Sequence, residues 1–217
     1  MERVITVKGV GTYSAKPDYV RVSMKLITIN LKYDKAMELG AKQINDIRTP
    51  LVKVGFDAED IKTTDFKVST EYTHYHNKHT DRDERIFEGF KCRHDVRISF
   101  DFDMKKLGQV LDSISKCPAK PEFSVSFTLK NANAVQEELL RSATINARQK
   151  AEILCDGAGS KLGQLLRIDY NWSEINIYSR TQYVAEDMVM YNSLSSIDIE
   201  PDDVECEDTA TFVWTIE

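Results

Sequence analysis

The stretch "THYHNKHT", residues 73–80, holds three of the chain's four histidines within six positions. Imidazole nitrogen is a ligand for zinc and other transition metals, and it can move protons near neutral pH. Whether these rings meet depends on the backbone beneath them. In "DFKVSTEYTHYH" the residues Phe66, Val68, Thr70, Tyr72, His74 and His76 occupy alternate positions, so a strand puts His74 and His76 on one face with Tyr75 on the other.

A second alternating run follows in "GFKCRHDVRISFDFD", with Phe90, Cys92, His94, Val96, Ile98, Phe100 and Phe102 on one side. If the two runs form an antiparallel hairpin with their apolar faces together, opposed residues sum to an even number. A loop centred near Asp81 makes that sum about 162. This register predicts Tyr72 opposite Phe90, Val68 opposite His94 and His74 opposite Glu88. His74, His76 and Glu88 would then converge as three ligands, with a fourth supplied only if His79 folds back or a second subunit contributes. The same residues also suit the solvated tip of a hairpin, and the tip is the reading adopted here. His94 lies on the apolar face of its strand and is expected to be a core histidine with a backbone or hydroxyl partner.

Other clusters have simpler readings. Asp101 and Asp103 flank a strand end, and Asp202, Asp203, Glu205 and Glu207 gather near the last strand, without the glycine-containing loop of a calcium site. "GVG" at Gly9–Gly11 sits inside a strand, which excludes a dinucleotide loop and suggests a bulge or bend. In "GAGSKLG" the residues Gly157, Gly159, Ser160 and Lys161 follow a helix, so they terminate it and do not cradle phosphate. Cys92, Cys117, Cys155 and Cys206 are widely spaced, without a C-x-x-C pair, and read as reduced, buried residues. A peroxide-sensing thiolate would need a neighbouring cation or helix N-terminus. No catalytic residue, cofactor or metal is assigned.

The elements that position these residues follow from period. Val20, Val22, Met24 and Leu26 alternate as a strand from Tyr19 to Leu26. Met37, Ala41, Ile44, Ile47, Leu51 and Val54 then form one stripe of a helix, with Pro50 in its last turns and Gly55 as its stop. A short helix over 104–116 carries Met104, Leu107, Val110, Leu111 and Ile114. The order then repeats. Phe123, Val125, Phe127 and Leu129 make a strand, and a long helix places Val135, Leu139, Ala143, Ala147, Leu154 and Ala158 near one stripe. Leu166, Ile168, Tyr170 and Trp172 begin another strand, and Val204, Cys206, Ala210, Phe212, Trp214 and Ile216 form the closing one. Residues 178–203 read as a long excursion.

The expected class is α+β, as two β-α-β-β units whose largely antiparallel or mixed sheet is covered by helices on one face. The expected organisation is one domain over 1–217, with a pseudo-duplicated pair of halves, 1–103 and 121–217, joined by helix 104–116. A small domain to about residue 120 followed by a helix-rich one is the alternative.

At 217 residues, with a formal charge of -6 and a pI near 5.4, the chain has no general attraction for nucleic acid or an anionic membrane. No apolar run reaches the length needed to span a bilayer, and "MERVITVKGVG" passes straight into a strand pattern without a secretory signal. The expected location is the cytoplasm. Long strands such as 86–102 leave edges that a second copy could cover, so self-association is expected.

Several blocks resemble the SIMPL domain, the YggE-like family of unknown biochemical activity: "ITVKGVGTYSAKPDYVRVSMKL", "LVKVGFDAEDIKTTDFKVSTEY", "FEGFKCRHDVRISF", "ATINARQKAEILCDGAGSKLGQLLRIDY" and "IEPDDVECEDTATFVWTIE". The helix block, Ala-Arg-x-Lys-Ala-Glu running into a glycine stop, is the most specific. The resemblance implies an α+β fold, no enzymatic activity assigned in most members, and an association with oxidative-stress defence or, in some animal relatives, with signalling. Many bacterial members are exported, and this N-terminus departs from theirs. The family supplies no catalytic residue, and Arg148 and Lys150 in its motif read as helix-surface charges, with Arg148 pairing to Glu152. The expectation is a non-catalytic, self-associating module with an unknown protein partner. The alternative is a metal-binding protein or metal-dependent enzyme built on the hairpin histidines.

Overall fold

The computed structural model describes residues 3–77, 82–171, 175–185 and 200–217. Its elements, in order, are β1 Val4–Ala15, β2 Tyr19–Asn30, α1 Tyr33–Lys53, a 3-10 turn at Ala58–Asp60, β3 Lys62–Asn77, β4 Arg82–Asp101, α2 Met104–Ser115, β5 Glu122–Thr128, α3 Ala132–Gly157, β6 Leu162–Asp169, β7 Tyr178–Ala185 and β8 Val204–Ile216. The α+β class holds, with two antiparallel sheets. The chain divides into two compact units.

The first unit comprises Met1–Asp18, Phe127–Thr181 and Pro201–Glu217. Its sheet has the order β1-β8-β6, and β1 pairs with β8 without interruption from Val4↔Thr215 to Ala15↔Val204. Helix α3 packs on β1 and β8. Its buried row is Val135, Leu139, Ala143, Ala147, Ala151 and Cys155, an unbroken i,i+4 series. The first four match the periodicity, whereas Ala151 and Cys155 replace the expected Leu154 and Ala158.

Small residues in that row let the helix lie directly on Gly9 and Gly11. A Cβ on Gly9 would lie 2.8 Å from the Ala147 Cβ, and one on Gly11 would lie 2.8 Å from the Leu139 carbonyl carbon. "GVG" is therefore a close approach of helix to strand, and the expected bulge is corrected by the continuous β1–β8 ladder. The helix ends as expected. Gly159 has φ +70, the Gly159 N–H donates to the Asp156 carbonyl at 3.1 Å, and the Ser160 N–H donates to the Cys155 carbonyl at 2.9 Å, a Schellman closure.

The second unit comprises Tyr19–Ser126 and Gln182–Glu200. Its sheet has the order β3-β4-β2-β5-β7, with the last residues of β5 and the first of β7 counted in the first unit. Val20, Val22, Met24 and Leu26 of β2 are fully buried beside Val96, Ile98 and Phe100 of β4. Each such side chain contributes about 1.5–3 kcal/mol, an upper estimate given the compactness of real unfolded chains. Helix α1 packs on β2 and β4 through Ala36, Gly40, Ile44, Ile47 and Leu51. Its first turns are thus rotated by one residue from the expected Met37 and Ala41, because a Cβ on Gly40 would meet the Cys92 Sγ at 2.8 Å and only glycine fits. Pro50 falls in the last turn and Gly55 follows with φ +97, as expected.

Two other expectations are corrected. Residues 178–185, read as part of an irregular excursion, form β7, an edge strand whose sequence "YSRTQYVA" has no apolar alternation; residues 186–199 lie outside the described set. Strand β6 ends at Asp169 with Leu166 and Ile168 exposed, since the β6–β8 ladder shifts register twice, at Leu162/Leu165 and Leu165/Arg167. Tyr170 follows the strand, and Trp172 lies outside the described residues.

Candidate functional site

The hairpin of β3 and β4 carries the histidines, and its register differs from the expectation in two steps. Near the core, Phe66 opposes His94, Val68 opposes Cys92 and Thr70 opposes Phe90, a two-residue shift that preserves the faces. Between Glu71 and Tyr72 the register then slips again, so that Tyr72 opposes Phe87, His74 opposes Arg85 and His76 opposes Asp83. The extra residue on β4 is Glu88, next to Gly89, which pairs with Glu71. Gly89 has φ +142, and a Cβ there would press on the Asn30 carbonyl, so glycine is required at this bulge.

This bulge undoes the convergence of His74, His76 and Glu88 on which the alternative metal reading depends. Glu88 accepts a hydrogen bond from the Thr73 hydroxyl, which places it on the face opposite His74 and His76. His76 Nδ1 lies 3.0 Å from Asp83 Oδ1 instead, and the Arg85 guanidinium carbon sits 4.1 Å from the centre of the Tyr72 ring. His79 lies outside the described residues. Among the described residues no three of His, Cys, Asp or Glu are grouped to hold a metal.

His94 is only half-buried, short of the core position expected, but it has the expected hydroxyl partner: its Nε2 lies 2.7 Å from the Thr63 Oγ1, and the Phe66 ring meets it edge-on at 5.3 Å. Burial, then the nearby Arg48 charge, pushes its pKa down, and Asp95 opposes them. Two members of the acidic clusters, Asp103 and Glu205, have structural partners. Asp103 caps α2, accepting from the Lys105 N–H at 2.8 Å and the Lys106 N–H at 3.1 Å. Glu205 pairs with Arg180 at 3.1 Å. Arg148 Nε donates to Glu152 Oε1 at 2.9 Å, the expected i,i+4 pair.

The residue that sequence reasoning missed is Asp208, only 6% exposed on the helix-facing side of β8. The Tyr170 hydroxyl donates to its Oδ2 at 2.9 Å and the Thr209 N–H to its Oδ1 at 2.7 Å. Burial and then the Asp208 carboxylate push the Tyr170 hydroxyl pKa up. Parity could have revealed it, since Asp208 falls in step with Cys206 and Ala210.

Cavities lie among the described residues of each unit. In the second unit a cup of about 340 Å³ sets Lys25, Asp95 and Glu122 beside the apolar Met24, Phe123 and Val184. Its charges answer one another, with Lys25 to Glu122 at 2.7 Å and Asp95 to Arg93. In the first unit a groove of about 400 Å³ runs between β1 and α3. There α3 side chains satisfy the outer edge of β1, since Asn146 Oδ1 accepts from the Val10 N–H at 3.0 Å, Ser142 Oγ from the Thr12 N–H at 3.4 Å, and the Lys150 ammonium donates to the Lys8 carbonyl at 3.4 Å. The motif charges Arg148 and Lys150 thus serve the helix and the strand edge.

These features define an α+β protein of two antiparallel sheets, each backed by helix, in which "GVG" is a packing device and "GAGSKLG" a capping one. The chain belongs to the SIMPL family: the model described as "SIMPL: Protein of unknown function (DUF541)" matches residues 5–214. Curated relatives include the "26 kDa periplasmic immunogenic protein" of Brucella melitensis and that of Brucella abortus, each 22% identical over 164 residues that span 76% of this chain and 65% of the relative. The chain therefore matches less than two thirds of either relative's length. The expectation of a cytoplasmic location is corrected, because both relatives are named as periplasmic. That expectation rested on the pattern of the first residues, and folding into such sheets carries no compartment label. No helix among the described residues is long and apolar enough to cross a membrane.

Proposed function

We propose that this SIMPL-family chain is a non-catalytic interaction module that assembles with copies of itself. The supporting observation is β6. It is the outer strand of its sheet, and Leu165, Leu166 and Ile168 are 47%, 48% and 52% exposed. An open strand edge bearing apolar side chains invites pairing with another chain. The edge first expected to do this, 86–102, lies in β4, which is flanked by β3 and β2.

The role in oxidative-stress defence that the family resemblance implies is proposed to run through assembly and not through a reactive thiol. All four cysteines are buried, and burial pushes the Cys92, Cys117 and Cys206 thiols up, away from the thiolate that reacts with peroxide. Nucleic acid and membrane surfaces are not proposed as partners, given the formal charge of -6.

Light scattering on the full chain at micromolar concentration tests the reading. A mass above the monomer, lowered by Leu166→Lys with Ile168→Lys, is expected; a strict monomer overturns it.

A further inference from the structure

We infer that the outer part of the β3–β4 hairpin is an assembly arm that takes the same arm of a second copy, one face of the first lying on the opposite face of the next. The inference rests on the reading of the chain as self-associating and adds a second contact besides the β6 edge. Its starting point is that pairing between β2 and β4 stops at Asn30↔Phe90. Beyond that pair, residues 72–77 and 82–87 form a two-stranded ribbon in which, among the described residues, β3 and β4 have only each other as ladder partners. A two-stranded ribbon is marginal by itself in water.

The ribbon is nevertheless rich in apolar side chains on both faces. One face carries Tyr72 and Phe87, each 38% exposed, and the other carries Tyr75 at 40% and Ile86 at 52%. The bulge at Glu88 and Gly89 keeps Phe87 in line with Phe90, so that Tyr72, Phe87, Phe90 and Tyr33 form a chain of edge-on contacts, each with ring centres 5.5 Å apart. A rigid aromatic strip on one face of a ribbon is the kind of surface that loses little conformational entropy when another surface covers it.

Charge identifies the occupant. The Tyr72 face also bears Arg85, with His74 opposite it in register and the His76–Asp83 pair beyond. The Tyr75 face bears Glu84, which accepts from the Tyr75 hydroxyl at 2.8 Å, and Glu88, which accepts from Thr73, with the Glu71–Lys91 pair at its base. Stacking like faces would set Arg85 against Arg85, or Glu84 and Glu88 against themselves. Stacking unlike faces instead sets a guanidinium toward two carboxylates and lays Tyr72 and Phe87 on Tyr75 and Ile86. Like-charge juxtaposition is disfavoured at an interface and opposite charge favoured. The contact is therefore heterologous, and repeated head to tail it generates a ring or an open filament, not an isolated two-fold dimer.

Native mass spectrometry of the full chain tests this with two charge reversals and their combination. Arg85→Glu alone, or Glu84→Arg with Glu88→Arg, is expected to raise the dissociation constant by about tenfold or more, and the triple variant to restore assembly. Hydrogen exchange on the unaltered protein gives a second readout that needs no variant: amides of 72–76 and 83–87 are expected to gain protection as concentration rises. Assembly unchanged by either reversal, or arm amides equally exposed at all concentrations in an assembled protein, overturns the arm while leaving self-association standing. A monomeric parent chain overturns both.

Discussion

Gly9 and Ala147 meet across a gap with no room for a methyl group: a Cβ on Gly9 would lie 2.8 Å from the Ala147 Cβ and closer still to the Ala143 carbonyl oxygen. The strand and helix are therefore fitted backbone to backbone, and the alanine row of α3 exists to allow it.

Gly9→Ala and Gly11→Ala are each expected to destabilise the chain by about 1–3 kcal/mol through overpacking against a rigid helix backbone. Urea unfolding midpoints measure this. Gly108→Ala serves as the opposite case, since its added Cβ meets nothing within 4 Å and relief of the helix-interior glycine is expected to stabilise α2 by about 0.5–1 kcal/mol.

Removing the Tyr170 hydroxyl leaves half of a buried polar pair. Tyr170→Phe is expected to cost about 1.5–3 kcal/mol, the range for a hydrogen bond to a charged group. Asp208→Ala should cost more, because the Thr209 N–H at 2.7 Å loses its acceptor as well. Calorimetric midpoints for the two variants that match the parent would remove the pair from the account of stability.

His94 links stability to pH. Its pKa is lowered on folding by burial and by Arg48, so the unfolded chain takes up the proton first. The stability contributed by the neutral ring is present above about pH 6.5 and is lost as pH falls from there toward the folded-state value. His94→Gln is expected to flatten this part of the unfolding free energy against pH, measured as the difference from the parent. An identical pH profile in the two proteins would rule out the linkage.

The buried thiols predict slow chemistry. Ellman's reagent at neutral pH is expected to label none of the four cysteines in the folded chain and all of them in denaturant. Rapid labelling of Cys92 or Cys117 under native conditions would contradict their burial and reopen a thiol-based role.

What the sequence made legible was governed by simple period. Val20 to Leu26 alternate and are buried, and Gly159 stops α3 where a positive φ is needed. Hydrophobicity failed where space is the constraint. It favoured Met37 and Leu154, whereas the contact demanded Gly40 against Cys92 and Ala151 near the sheet. The histidine question failed for a different reason, since one bulge at Gly89 reverses the parity on which any register argument depends. The repeated element order remains a proposal of duplication.

Strand β8 is the middle strand of its sheet, between β1 and β6, yet it comes last among the described strands. On the ribosome β1 emerges early and then waits, with its glycine-bearing face uncovered, until α3 and finally β8 have been made. Tyr19–Ser126, contiguous in sequence, can close meanwhile. Until β8 has been made, β1 lacks its ladder partner and presents an unpaired strand edge of the kind that makes folding intermediates prone to aggregate.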